Sequence, residues 1–550
     1  MSGLLAKSLE TLAAGAARHA TADPAVRTQL ALATARTVAA AVPAWVEAAI
    51  QIKRAQGAVH EAAARAEELA TGPLVTLRLL LLTARALTDI AATGRPRLAR
   101  PPRIAHRASG SDLTSVVEVD VLPARGLFDA AIFPGYKATV RCANPGSLDT
   151  FLETWQEECA TRPSGGGVAL VLGAGNVTGL SVADAISQIF EHGRAALVKL
   201  HPVHEPLTAV LQKAVAPLVD AGLVAFVAGD AAVASAGIAA DTVTHVHLTG
   251  GAAAFAGVAA STTKPITCEL GNVTPWFVVP GRYTPAQLRC QADTIAASIA
   301  NNTSFNCIAT KLIVTCRRWD QRGELIGLIR ERLASLPPRP AWYPGAVALW
   351  EEISGRVAPG DGTLPWVFRD GLRADADAAW ITREWFGPVA GELSLEAADV
   401  EDYCSRATAL ARSLPGSLAA SVTVPEYLST RAAARAELLL EHLPFGIVAR
   451  NCWSALAYSM AGVPWGGYPG GTRADPKSGI GFVHDPLLLP LVHNSIIRGP
   501  LAARLTPPWF PWHTRGVVLA QGLIDMYGAI ARGGRGVWQL TRMLPAVVRG

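Results

Sequence analysis

The chain has 550 residues, half of them apolar and 17% charged, with a formal net charge of +5. That length exceeds one hydrophobic core, so two or more domains are expected, and the composition excludes wholesale disorder. The small charge and the lack of a Lys/Arg run with interleaved aromatics in the body of the chain give no reason to expect nucleic-acid binding.

Residues 1–93 are Ala-rich with helix-period apolar positions. The most apolar stretch, 74–87, is too short for a membrane span and is interrupted by Arg78 and Arg85, so it reads as a buried or interfacial helix. Residues 94–113 are basic and Pro-rich and read as a linker, whereas 115–142 alternates like strands. An alternation then begins: strand 168–175, helix 182–193, strand 195–200, helix 207–222, and strands 223–229 and 244–251. This spacing predicts a parallel α/β sheet with ligands at the carboxyl ends of its strands. The second half continues with ITCELG, TPWFVV, a helix over 285–302 and NCIATKLIVT.

The eight cysteines form no CxxC pair and no zinc-spaced Cys/His cluster, and no basic n-region with an apolar h-region opens the chain. A cytoplasmic protein with reduced thiols is the expectation. His245 and His247 alternate on one predicted strand, but no third ligand is suggested. They, His201 and His484 read as core or surface histidines, and no metal site is expected.

Gly173, Gly175 and Gly179 lie between a strand and a helix. Such glycines either let a pyrophosphate approach a helix N-terminus or merely make a tight turn. Lys199 at the end of the following strand suits a ribose edge or a 2′-phosphate, or it is a lysine reaching solvent from a strand end.

Taken in order, seven segments resemble the aldehyde dehydrogenase superfamily over roughly residues 115–500. They are GAGNVTG (173–179), ALVKLHP (196–202), HVHLTGG (245–251), CELGNVTP (268–275), NNTSFNCIATKLIV (301–314), EWFGP (384–388), and PWGGYPGG (464–471) with SGIGFVH (478–484). The pairing of ELGNV with SFNC most resembles an outlying bacterial branch. The resemblance implies a Rossmann-type cofactor domain, an α/β catalytic domain and small oligomerisation strands. The boundaries are 1–126 for a helical region and the start of the cofactor domain, 148–268 for NAD(P) binding and 269–485 for catalysis. Segments 127–147 and 486–505 would extend a partner's sheet in a homodimer or homotetramer, and 506–550 is a tail outside the match.

It further implies Cys307 as nucleophile, Asn176 as oxyanion donor and Glu269 as general base. Lys199, Gly229, Gly250, Gly251, Leu270, Glu384 and Phe386 would hold NAD or NADP. The reaction implied is oxidation of an aldehyde to its acid through a thiohemiacetal and a thioester. An acylating alternative passes the thioester to coenzyme A, which the His201-Pro202 pair favours and Glu269 disfavours.

Several positions depart from the pattern. Asn272 replaces the second Gly of Glu-Leu-Gly-Gly, Gly251 the Ser of Thr-Gly-Ser, and Gly175 the Trp before the oxyanion Asn. The ribose-binding Glu has no clean counterpart, Glu205 being displaced, and the interval from Cys307 to Glu384 is short. The tail carries arginines and tryptophans and reads two ways: it lies on a membrane interface, with a long-chain aldehyde as substrate, or it docks on the protein itself.

Overall fold

The computed structural model describes residues 2–548, leaving out 56, 58, 107–114 and 504. Four helices open the chain: α1 (Ser2–Ala20), α2 (Pro24–Arg54), α3 (Glu61–Thr71) and α4 (Pro73–Thr93). The apolar run at 74–87 thus lies in the first two-thirds of α4, which packs against α2. Among the described residues no helix is long and apolar enough to cross a membrane.

Of the segment read as a linker, 103–106 is a strand, and 107–113 lies outside the described residues. The strands in chain order are β1 (Arg103–His106), β2 (Ser115–Leu122), β3 (Lys137–Ala143), β4 (Val168–Leu172), β5 (Ala195–Lys199), β6 (Val224–Val227), β7 (Val243–Gly250), β8 (Ile266–Leu270) and β9 (Pro275–Val278). They continue as β10 (Leu312–Cys316), β11 (Arg339–Pro340), β12 (Thr363–Leu364), β13 (Val367–Leu372), β14 (Val389–Leu395), β15 (Ala419–Thr423), β16 (Ile447–Arg450), β17 (Gly479–Ile480) and β18 (Val492–Arg498).

Two large sheets result. The six-stranded sheet runs β17-β8-β7-β4-β5-β6, parallel except for β17. The ten-stranded sheet runs β1-β2-β3-β18-β16-β15-β9-β10-β14-β13, and β11 pairs with β12 alone. Every residue of β4 and β5 is buried, as expected of parallel strands covered by helices on both faces.

The predicted helix at 207–222 is broken into Thr208–Ala214 and Ala216–Asp220. Pro217 has no N–H to donate to the preceding turn, so the helix restarts there. Segments 127–147 and 486–505 contain β3 and β18, which pair with each other, and β18 also pairs with β16 of the same chain.

Each sheet has its own hydrophobic core. The core of the six-stranded sheet also takes in α1, α2 and α4 and a tail helix, Gly516–Ala531. Arg78 ties these parts together. Its guanidinium donates to both oxygens of Asp129 at 2.7 and 2.9 Å, to the Tyr527 hydroxyl at 2.7 Å and to the Met460 carbonyl at 2.7 Å. The tail up to Ala531 therefore docks on the protein itself.

Candidate active site

Segments of both sheets meet at one cavity of about 310 Å³. Asn176 reaches it from the turn after β4, and Glu269 and Leu270 from the end of β8. Gly250 and Gly251 come from the end of β7, Cys307 from the loop before β10, and Glu384 and Phe386 from the loop before β14; all of these line the cavity. Lys199 and Gly229 do not. They sit beyond the cavity, at and just past the carboxyl ends of β5 and β6.

A strained turn presents Cys307. The helix Pro285–Ala300 starts with a Thr284/Gln287 capping box and ends at Asn301. Asn302, Thr303 and Ser304 then follow in the left-handed region, with φ of 52°, 56° and 64°. Three such non-glycine residues in a row persist only where the surroundings dictate them. Here the surroundings include the N-terminal helices. Lys53 donates to Asn302 Oδ1 at 2.9 Å, and the Asn302 N–H donates to Glu67 at 3.2 Å. Glu68 pairs with Lys53 at 2.8 Å, and Arg339 grips Glu67 at 2.6 Å. Thr178, two residues past Asn176, donates to Glu68 at 3.0 Å. On the other side Lys311 donates to Ser304 Oγ at 2.6 Å and to the Gly387 carbonyl at 2.7 Å.

Asn176 donates one amide hydrogen to the Phe305 carbonyl at 3.1 Å, and a carboxamide has a second to offer. Cys307 is half-buried at the cavity wall. Burial raises its thiol pKa, and the Glu384 and Glu269 carboxyls raise it further. Burial also raises Glu269, and Asp184 raises it again. Glu384 is pushed up to about 8 by burial, against the pull of Lys311, which burial lowers to about 7.

Glu269 belongs to a buried cluster. Asp184, on the helix Leu180–Phe190, accepts from Thr249 at 3.1 Å and bonds His484 at 2.9 Å. Ligand atoms of Asp184, Glu269 and His484 all lie within 4.8 Å of one another. Burial alone would raise Asp184, but His247 and His484 hold it below the usual carboxylate range. His245 and His247 share the Thr267 hydroxyl, each at 2.9 Å.

Sequence reasoning passed over Lys53, Glu67 and Glu68, because they lie on helices outside every motif. Asp184 was passed over too, since it lies on a helix outside every motif, and every residue of that helix is buried.

The residues present fit a dinucleotide. Glu384 Oε1 is buried without a hydrogen-bond partner, as suits a carboxylate waiting for ribose hydroxyls. Gly271 allows that approach, since a Cβ there would lie 1.9 Å from Glu384. Gly251 precedes a ten-residue helix, Ala252–Ser261, with no side-chain cap and open space around it. Its free N–H groups suit a pyrophosphate. The turn at Gly173, Gly175 and Gly179 offers no such room. Atoms of Ser181, the His201 ring and Gly72 stand where added Cβ atoms would go. The His201 ring packs on Gly175 and stacks on Tyr343 at 5.8 Å, taking up space beside the position where the pattern has Trp. Glu205 comes to the strand ends from a 3₁₀ turn, where it accepts the Gly229 N–H at 2.8 Å and acts electrostatically on Lys199.

No protein-family model and no curated relative matches the chain. Solved structures do match. The NAD-dependent aldehyde dehydrogenase from Sinorhizobium meliloti superposes with a TM-score of 0.59 at 16% identity, over 90% of this chain and 86% of its own. The aldehyde dehydrogenase KauB from Pseudomonas aeruginosa gives 0.60 at 16%, over 89% and 87%. AldH from Staphylococcus aureus, in a substrate-bound state, gives 0.60 at 15%, over 91% and 95%. At these identities the likeness is one of fold.

Proposed function

We propose that this chain, which has the fold of aldehyde dehydrogenases, oxidises an aldehyde to its carboxylic acid with a nicotinamide dinucleotide. The observation that carries the reading is the meeting of Cys307, Asn176, Glu269 and Glu384 in one cavity. The Cys307 sulfur, once deprotonated, adds to the aldehyde carbon, and the carbonyl oxygen takes the charge. The second Asn176 hydrogen and the Cys307 backbone N–H stabilise that oxyanion, each donor worth roughly 10²–10³ in rate. The dinucleotide's part is to accept the hydride, which leaves a Cys307 thioester. Glu269 takes a proton from water, the hydroxide attacks the thioester carbon, and Cys307 departs as thiolate with the acid formed. Glu384, with Phe386, Leu270, Gly250 and Gly251, holds the nicotinamide half, and Lys199 and Gly229 lie toward the adenosine ribose.

Identification of the product tests this. The reading expects free acid and NADH in equal amounts, without coenzyme A. An acyl-CoA product formed only with coenzyme A would establish the acylating alternative, which the commitment of His201 to Tyr343 and Gly175 disfavours.

Two predictions belong to this site. Glu269 faces Asp184 from the helix Leu180–Phe190, His484 from the segment after β17, Trp465, Tyr458 and Cys307. It acts as a base only when ionised. Because Asp184 raises its pKa, Asp184→Asn lowers it, and the rising limb of the pH–turnover profile moves to lower pH. An unmoved limb would remove Asp184 from the tuning of the base. At the ribose end, the Glu205 carboxylate beside Lys199 repels a 2′-phosphate. NAD should bind more tightly than NADP, and Glu205→Gln should narrow the gap roughly tenfold by calorimetry. Lys199→Ala should weaken both cofactors.

The membrane reading of the tail narrows to its last helix, Val537–Val548. There Trp538 is 69% and Leu544 58% exposed, with Arg535 and Arg542 beside them. This helix would rest on anionic lipid. Removing residues 537–550 should abolish co-sedimentation with phosphatidylserine vesicles at low salt, and equal sedimentation of both proteins would end the membrane reading.

A further inference from the structure

Besides Cys307, Glu269 and Glu384, the cavity is lined by two segments that lie outside the dehydrogenase-like motifs. One is α3, whose Ala63, Ala66 and Ala70 recur on one helix face and line the cavity. The other is Pro508–Pro511 of the tail.

This wall is tied to the segment that carries Cys307. The Trp453 indole donates to the carbonyl of Ile308, the residue after Cys307, at 2.8 Å. Its ring lies 5.1 Å from that of Trp509, which meets Phe510 edge-to-face at 4.6 Å. Phe510 is buried and contacts Trp512, over which Arg332 sits at 4.5 Å. The next helix, Gly516–Ala531, packs on α2, α3 and α4. The tail is therefore held against the cavity from both sides.

The charge of the wall is as informative as its shape. Among the described residues, the charged side chains lining the cavity are Glu67, Glu269 and Glu384, with no lysine, arginine or histidine. Glu67 is already held by Arg339. A substrate carboxylate would lose its water, find no cation and face three acids. A quaternary ammonium needs open aromatic faces, and Trp453, Trp509 and Phe510 pack on one another instead. An apolar chain or ring gains from the same surroundings, on the order of fourfold per buried methylene.

Building on the dehydrogenase reading, we propose that α3 and Pro508–Pro511 form a specificity wall that selects neutral, apolar aldehydes, alkyl or aryl, and rejects those bearing a remote carboxylate or quaternary ammonium. Ala63, Ala66 and Ala70 leave the width, and Trp509 and Phe510 supply the apolar surface.

The test uses the full chain with NAD and compares propanal, octanal, benzaldehyde, succinic semialdehyde and betaine aldehyde. Octanal and benzaldehyde should lead both charged aldehydes in kcat/KM by at least a hundredfold. Ala66→Phe, which fills the passage, should lower the octanal-to-propanal ratio of kcat/KM at least tenfold, and Trp509→Ala should lower it at least threefold. A general folding defect would lower both substrates and leave the ratio unchanged. Calorimetry with octanamide, an unreactive neutral analogue, separates this proposal from the dehydrogenase reading. Octanamide binding that Ala66→Phe weakens tenfold, in a protein that oxidises no aldehyde, would keep the wall and overturn the dehydrogenase. Oxidation led by either charged aldehyde, or a ratio unmoved in both variants, would overturn the wall and keep the dehydrogenase.

Discussion

Cys307→Ala should lower aldehyde oxidation by on the order of 10⁴-fold or more, because no other side chain can form the covalent adduct. Cofactor binding should remain within about twofold of the parent. The residues proposed to hold the dinucleotide come from β5, β7, β8, the turn after β6 and the loop before β14, and removing one sulfur disturbs none of them. The other seven cysteines cannot substitute, since none of them lines the cavity. NADH formation with saturating aldehyde, together with NAD binding measured by calorimetry, checks both halves. Full activity in the variant would mean that the chemistry does not pass through this sulfur.

Glu269→Gln should separate the two half-reactions. The adduct still forms, and the amplitude of the first burst of NADH should stay near one equivalent per chain. Turnover should then stall, by roughly 10²–10⁴-fold, because the thioester has lost the base that activates water. Amplitude is the quantity to read rather than burst rate, since Glu269 also acts electrostatically on the Cys307 thiol. Loss of the burst together with turnover would place Glu269 before hydride transfer or in a structural role. Recovery of turnover on adding coenzyme A would favour the acylating reading.

Much of the architecture was legible in the sequence. Apolar runs of five residues ended by glycine, alternating with amphipathic stretches, announce parallel strands and their crossover helices, and the structure contains them as β4 to β8 and the helices between. Spacing failed where one residue decides the outcome, as at Pro217, which splits a stretch that hydrophobic period alone reads as continuous. The gathering of Cys307, Asn176, Glu269 and Glu384 also had a sequence signature, because each sits in a short motif that resembles one of the aldehyde dehydrogenase superfamily.

What escaped was long-range. Lys53 and Glu67 are ordinary charged residues on Ala-rich helices, and nothing within ten residues of either reveals that both reach Asn302. The same holds for Asp184 beside Glu269. The tail shows the limit from another side. Its arginines and tryptophans left two surfaces open, a lipid interface or the protein itself, and in the structure Tyr527 meets Arg78 and Phe510 is buried beside the cavity. Composition described the chemistry of the tail without showing which surface would receive it.

The Arg78–Tyr527 contact spans 449 residues. Synthesis proceeds at about 5–20 residues per second. After α4 emerges from the ribosome, roughly 20–90 s therefore pass before the helix Gly516–Ala531 exists to cover it. During that interval Leu79, Leu80, Leu82 and their neighbours have only part of their final packing. The layer that steadies the turn before Cys307 is thus made long before the helix that completes it, so a nascent chain stalled short of Tyr527 carries every residue of the proposed chemistry on a support that is still unfinished.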